Sequence, residues 1–257
     1  MGIIVKKIRP DVLILNENGL RGNNNARIDG YFTFSKNRVD KAMGGIATLV
    51  ENYLKSDTVE VAEGEYNDEY IITRINKCKP ALNIVNLDGE QEGRTGREKV
   101  LESWARLKKE LDRIKIKGEF CLIAGDLNKK VGNDNLGVKG NHPEISYGGE
   151  VIRELVASGQ YWIVNNTDVA IGGPFTRLDP ADETKKSCLD LCIVSHNLIP
   201  YVREMVVDRE GTSPQESHHQ GPQVDSQVGT QTISLIKCPC RVFQLQKEKW
   251  QTKRNGT

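Results

Sequence analysis

Short apolar runs bounded by turn-forming residues recur along the chain: Asp11 to Asn16, Ile46 to Val50, Tyr70 to Ile75, Ala81 to Asn86, Phe120 to Ala124, Tyr161 to Asn165 and Leu189 to Ser195. Runs of this length, continuous or alternating and closed by Gly, Asn, Asp or Pro, predict strands wholly or half buried in a core. Two stretches carry a helical period instead. Val100, Leu101, Trp104, Leu107, Leu111 and Ile114 fall on one face of a helix from about Gly96 to Lys115, which puts Trp104 in the core. Val151, Ile152, Leu155 and Val156 mark a shorter helix that stops near Gly159. Two helices cannot cover so many strands, so the strands must also cover one another. The prediction is an α/β fold with two packed sheets and helices outside.

From Gly211 to Gly229 the only aliphatic residues are Val224 and Val228, among Ser, Pro, Gln, His and Gly, and this segment is expected to be a mobile loop. One domain is therefore expected over 1–236, followed by a polar, basic tail or linker over 237–257. Charge sharpens that division. The net +1 of the 257 residues splits into +5 from Lys237 onward, where six basic residues face one acid, and −4 before it. A mildly acidic globule with a basic tail suits a metal ion and a polyanion, although charge alone establishes neither. No run approaches the ~20 apolar residues of a membrane span. The apolar start Ile3-Ile4-Val5 is too short for a secretory segment, so an intracellular protein is expected. The six cysteines are accordingly expected to stay reduced.

The string richest in chemistry is Cys121-Leu-Ile-Ala-Gly-Asp126-Leu-Asn128, an apolar strand that stops at Gly and presents a carboxylate and a carboxamide two residues apart. At strand spacing these point the same way. Such an Asp can take a proton from water while the Asn donates to a phosphoryl oxygen, although an Asp/Asn pair is also ordinary turn chemistry. Asp11-Val-Leu-Ile-Leu-Asn-Glu17 ends a second apolar strand with an acid, and Ser187-Cys-Leu-Asp190-Leu-Cys places an acid inside a third. A charge in an apolar strand needs a partner or a metal. Oxygen donors of this kind suit Mg²⁺ or Mn²⁺ rather than zinc. Glu17 alone reads equally well as a solvated acid in a Glu-Asn-Gly turn.

Together the strings DVLILNEN, GGIATLV, NIVNLDGEQE, CLIAGDLN, GGPFTRLDP and SCLDLCIVS, from about Pro10 to Asp208, resemble in order and spacing the endonuclease/exonuclease/phosphatase family, the fold of DNase I and the apurinic endonucleases. GEQE, GDLN followed by KKVG, and the tail KEKWQTKRNG look most like the endonuclease domain of non-LTR retrotransposons, where such a tail leads into a reverse transcriptase. The resemblance implies a four-layer α/β/β/α sandwich with catalytic groups at one edge of the two sheets. It also implies a divalent ion on Glu17, a water aligned or deprotonated by Asp126, a scissile phosphate held by Asn128, and an Asp190 that orients a histidine. DNA would be the substrate, with nuclear rather than cytoplasmic localisation. Arg177, Lys129 and Lys130 flank the implied active edge and are candidates for contacts to a nucleic-acid backbone.

The chain departs from the family pattern at several places. Only ten residues precede Asp11, so the family's first strand is expected to be lacking. Where the family has a Tyr before the GEQ-like turn, this chain has Asp88, an anion that repels phosphate unless it recruits another cation. The family's Ser/Thr-Asp-His motif before the final strand falls on Gln231 and Thr232 if Thr232–Ile236 is that strand, the placement preferred because it keeps the strand adjacent; if Ser217-His218-His219 is the motif, its Asp is replaced by His218. His218 and His219 could supply an imidazole only by folding back, and Cys238-Pro-Cys240 is a poor zinc motif. Three readings follow: a Mg²⁺-dependent, retrotransposon-derived DNA endonuclease with impaired turnover; a non-catalytic nucleic-acid-binding remnant; and a hydrolase of a small phosphoester.

Overall fold

The computed structural model describes residues 10–16, 27–37, 45–55, 59–63, 70–89, 96–138, 141–171, 177–179, 182–208, 230–235 and 241–245. In chain order the strands are β1 (Val12–Leu15), β2 (Tyr31–Lys36), β3 (Ile46–Glu51), β4 (Val59–Glu63), β5 (Tyr70–Ile75), β6 (Leu82–Leu87), β7 (Phe120–Asp126), β8 (Tyr161–Ile163), β9 (Ala170–Ile171), β10 (Arg177–Asp179), β11 (Asp182–Ser187), β12 (Asp190–Ser195), β13 (Val202–Asp208), β14 (Thr230–Leu235) and β15 (Arg241–Leu245). The helices are α1 (Asn52–Lys55), α2 (Arg97–Ile116) and α3 (Tyr147–Ala157).

One sheet runs β2-β3-β1-β15-β14-β13-β9 and the other β4-β5-β6-β7-β12-β8, with β10 and β11 as a separate hairpin. In the second sheet only β6 and β7 are parallel neighbours, because the twenty-residue α2 forms the crossover between them. The alternation of β7 explains its unbroken apolar run. Leu122 and Ala124 enter the cluster between the sheets with Val12, Ile14 and Val194, while Cys121 and Ile123 face Trp104, Leu107 and Leu111 of α2. A strand covered on both faces has no polar side to show. Cys78, Cys121, Cys188 and Cys192 are buried free thiols.

The basic segment 237–257 is not wholly a tail. Arg241–Leu245 forms β15, parallel to β1 and antiparallel to β14, and so joins the two halves of the first sheet. Val242, Phe243 and Leu245 give it strand character, which the surrounding Lys, Arg and Gln conceal when the segment is averaged. The expected loop at 211–229 lies outside the described residues. Strands β2, β4 and β13 were also not anticipated: Tyr31–Lys36, Val59–Glu63 and Val202–Asp208 mix polar and apolar positions, and β2 is only partly buried.

Two buried carboxamides tie the sheets together. Asn16, just past β1, donates from Nδ2 to Asn86 Oδ1 at 3.2 Å and to the Leu87 carbonyl at 3.0 Å. Asn86 of β6 donates to the Ala47 carbonyl at 2.9 Å, and both residues are fully buried. Asn86→Ala would strand these groups without partners, so a loss of about 2 kcal/mol is expected in urea unfolding. A midpoint equal to the parent's would show that the clamp contributes nothing.

At the opposite end of β7, Arg74 of β5 donates through Nε and Nη2 to Glu119, at 3.0 Å and 2.6 Å, and Asn83 adds a bond at 2.9 Å. These bonds, that from Arg74 foremost, hold the Glu119 carboxyl below its ordinary range despite the opposing effect of burial. A depressed carboxyl contributes stability above its unfolded pKa and loses it as pH falls through the folded one. The stability difference between the parent and Glu119→Gln should therefore shrink as pH drops from about 6 to about 3. A constant difference in denaturation across that range would contradict it.

Candidate active site

The site is built where β6, β7 and β12 end or begin. Asp126 is the last residue of β7, Asp190 is the first of β12, and the two are directly paired across the antiparallel ladder. Cross-strand partners share a face with Cβ atoms about 4.5–5.5 Å apart. Two carboxylates that the sequence separates by more than sixty residues thus stand side by side, Asp126 half-buried and Asp190 2% exposed. Like charges at that separation repel, and a divalent cation among oxygen donors is one means of relief.

Backbone contacts hold this edge rigid. The Gly89 amide donates to the Asp126 carbonyl at 2.7 Å, and Asn128 Nδ2 donates to the Gly89 carbonyl at 3.1 Å. Asn128 has φ 50°, a left-handed conformation that Asn tolerates better than most side chains. Gly89 and Gly125 permit the approach: a methyl group on Gly89 would lie 2.0 Å from the Leu127 carbonyl oxygen, and one on Gly125 1.9 Å from that of Leu87. The end of β6 and the turn after β7 therefore touch backbone to backbone. Asn16 reaches the same place through its bond to Leu87, and its buried Oδ1 has no hydrogen-bond partner among the described residues.

Two further carboxamides brace the edge, and sequence reasoning missed both. Asn165 donates to the Asp190 carbonyl at 3.1 Å and accepts from the Cys192 amide at 2.8 Å. Asn141 accepts from the Val131 amide at 3.0 Å and donates to the Lys129 and Cys188 carbonyls. Polar loop residues of this kind carry no periodicity. Asn16, Asn86 and Asn165 each close one of the apolar runs read from the sequence and so offered a signal; Asn141 offered none.

The expected residues are thus distributed as follows. Asp126, Asn128 and Asp190 converge. Glu17 lies outside the described residues, directly after the buried Asn16, and among the described residues no three His, Cys, Asp or Glu side chains are grouped to hold a metal. Asp88 is 4% exposed beside the site. Gln231 and Thr232 lie within β14 rather than ahead of it. Gln231 pairs with Gln244, and Gln244 with Ile14, which sets this end of β14 level with the site end of β1. His218, His219, Cys238 and Cys240 lie outside the described residues. The Arg177 backbone pairs with Ser187, three residues before Asp190. Lys130 is bonded to Glu144 at 2.9 Å on the surface. Lys129 is a correction: at 1% exposure it cannot reach a nucleic-acid backbone. Its long alkyl stem packs inward, a placement that the adjacent Lys-Lys pair in sequence does not distinguish.

No protein-family profile and no curated protein matches this chain. Solved structures do. The endonuclease domain of TRAS1, a telomere-specific non-LTR retrotransposon, is similar with a TM-score of 0.58 and 15% identity over 91% of this chain and 89% of that one. The Xenopus laevis APE2 catalytic domain gives 0.62 and 14% over 94% and 90%. The 3'-5' exonuclease NExo from Neisseria meningitidis gives 0.59 and 16% over 91% and 92%. At such identities what these structures share with this chain is the arrangement of strands and helices. Two mixed sheets packed face to face, flanking helices and these neighbours make the fold of this chain the DNase I-like fold of the endonuclease/exonuclease/phosphatase proteins.

Proposed function

We infer that this chain is a divalent-metal-dependent phosphodiesterase of the endonuclease type that acts on DNA. The observation that carries this is the pairing of Asp126 with Asp190 across β7 and β12, with Asn128 two residues on. The hard oxygen donors at this edge suit Mg²⁺ or Mn²⁺; the buried Asn16 Oδ1, without a hydrogen-bond partner among the described residues, adds one more oxygen here, and Glu17, next in sequence, would hold the ion. The bound ion would supply Lewis-acid polarisation of a phosphoryl oxygen. Asp126 would align the attacking water and take its proton. One N–H of the Asn128 amide is bonded to Gly89, which leaves the second to donate to the phosphate. With Gln231 and Thr232 in place of the family's Asp and His, no imidazole comes from β14. General acid–base help of about 10²–10⁴-fold would be lost, and turnover would be slow. Acting on DNA, the protein would work in the nucleus, and a retrotransposon origin, with a reverse transcriptase as partner, would suit the basic residues of 237–257.

Supercoiled plasmid incubated with excess protein is expected to be nicked slowly in Mg²⁺ or Mn²⁺ and not at all in EDTA. The same changes at Asp88, Gln231 and Thr232 favour a second reading, a binding remnant. Absent nicking together with a gel shift that weakens as salt rises would support it. Release of phosphate from a nucleotide or inositol phosphate, with DNA untouched, would instead indicate a small phosphoester substrate.

A further inference from the structure

Arg97 opens α2 and Tyr147 opens α3, and the Arg97 guanidinium carbon stands 4.6 Å from the centre of the Tyr147 ring, a cation–π contact. Both residues are exposed, Tyr147 at 41%. Among the described residues the ring is the one partner of that guanidinium, so its N–H donors remain for a ligand. Helix stability does not call for this arginine. A cation at the first helical position opposes the helix dipole, and the N-cap Gly96 supplies no side-chain bond there.

The pair stands on the turn that carries the site. The Ser146 amide donates to the Lys130 carbonyl at 2.9 Å and the Lys130 amide to Ser146 Oγ at 3.2 Å, two residues past Asn128. Gly148 closes on the Lys129 stem, where an added methyl would lie 2.7 Å from Cδ. On the α2 side Val100, one turn after Arg97, lines a small cavity together with Gly89 and Lys129. Two helix starts distant in sequence are thus fixed against the residues that flank Asn128, and they bring an exposed arginine with them.

We propose that Arg97, held by the Tyr147 ring, binds a backbone phosphate of the DNA next to the scissile one. The proposal deepens the function inferred above and rests on it. With one phosphate at Asn128 and a second at Arg97, the fitting substrate is a strand of successive phosphodiesters rather than a small phosphomonoester. The planar guanidinium fork suits phosphate oxygens, and the ring restrains a long side chain, so that less freedom is lost on binding.

Fluorescence anisotropy of a short labelled duplex in EDTA, where no strand is cut, reads binding alone. Arg97→Gln is expected to weaken binding about fivefold near 0.1 M salt and to lower the slope of log affinity against log salt by about 0.9, the value for one phosphate of B-DNA. Its Tm should stay level or rise, because the conflict with the dipole is gone. Tyr147→Leu keeps the charge and is expected to weaken binding roughly two- to fivefold with the slope unchanged. In the Arg97→Gln background the same change should cost nothing further. An unchanged slope in Arg97→Gln would overturn the proposal, and additive losses would overturn the part given to Tyr147. The inferred function fails separately. A parent that binds duplex yet never nicks it in Mg²⁺ or Mn²⁺ is no nuclease, while the slopes still decide Arg97. A parent that nicks, with the slope kept in Arg97→Gln, refutes the phosphate contact alone, and a parent that binds no duplex refutes both.

Discussion

Asp126→Ala is expected to lower plasmid nicking by at least ~10³-fold, since it removes the group that in the proposed function would align and deprotonate the attacking water. The fold should survive the change. The backbone of Asp126, whose carbonyl accepts the Gly89 amide and whose ladder position faces Asp190, is kept by alanine. Removing one carboxylate from an opposed pair also relieves repulsion in the metal-free protein. The urea midpoint without metal should therefore stay level or rise while activity disappears, the usual relation between a strained site and the scaffold that holds it. Initial rates at enzyme excess, measured beside the unfolding curve, separate the outcomes. Nicking retained by the variant would remove Asp126 from the mechanism. Loss of stability equal to loss of activity would make it a structural residue.

Much of this edge was legible before any coordinates, for a physical reason. A strand buried on both faces must be apolar throughout, so the acid or amide that interrupts it stands out: Asp126 after Cys121–Gly125, Asp190 before Leu191–Val194, Asn16 after Val12–Leu15. Pairing was not legible. That Asp190 faces Asp126 depends on the register of β7 against β12, and no local pattern encodes the register of strands so distant in sequence. Lys129 shows a different limit. A lysine in a polar turn reads as solvated, and only the helices closing over it, α2 with Trp104 and α3 with Gly148, turn it inward. β15 shows a third: five residues of strand inside a basic segment are outweighed by their surroundings, yet they occupy the centre of a sheet. Segments whose role is set by distant partners are where local reading fails.

Gly125→Ala is expected to cost on the order of 4 kcal/mol, a large part of the stability of an ordinary domain. Two effects combine. The residue has φ 147°, a region that side chains rarely enter, at a cost of roughly 1–3 kcal/mol. The new methyl would also stand 1.9 Å from the Leu87 carbonyl oxygen and 2.8 Å from its carbon, atoms of a neighbouring strand end that cannot swing aside as a flexible side chain would. Relief requires β6 and β7 to part where Gly89 bonds Asp126, so the site should open as well. Gly118→Ala separates the contributions. Gly118 also has a positive φ, 67°, but nothing lies within 4 Å of the added methyl, so only the conformational cost of about 1 kcal/mol remains. In urea unfolding the Gly125 variant should lose several times what the Gly118 variant loses. Its residual nicking should also fall well below that of the Gly118 variant at a temperature where both remain folded. Equal losses would mean that the two strand ends are not in contact, and the backbone seam that aligns Asp126, Asn128 and Gly89 would have no physical basis.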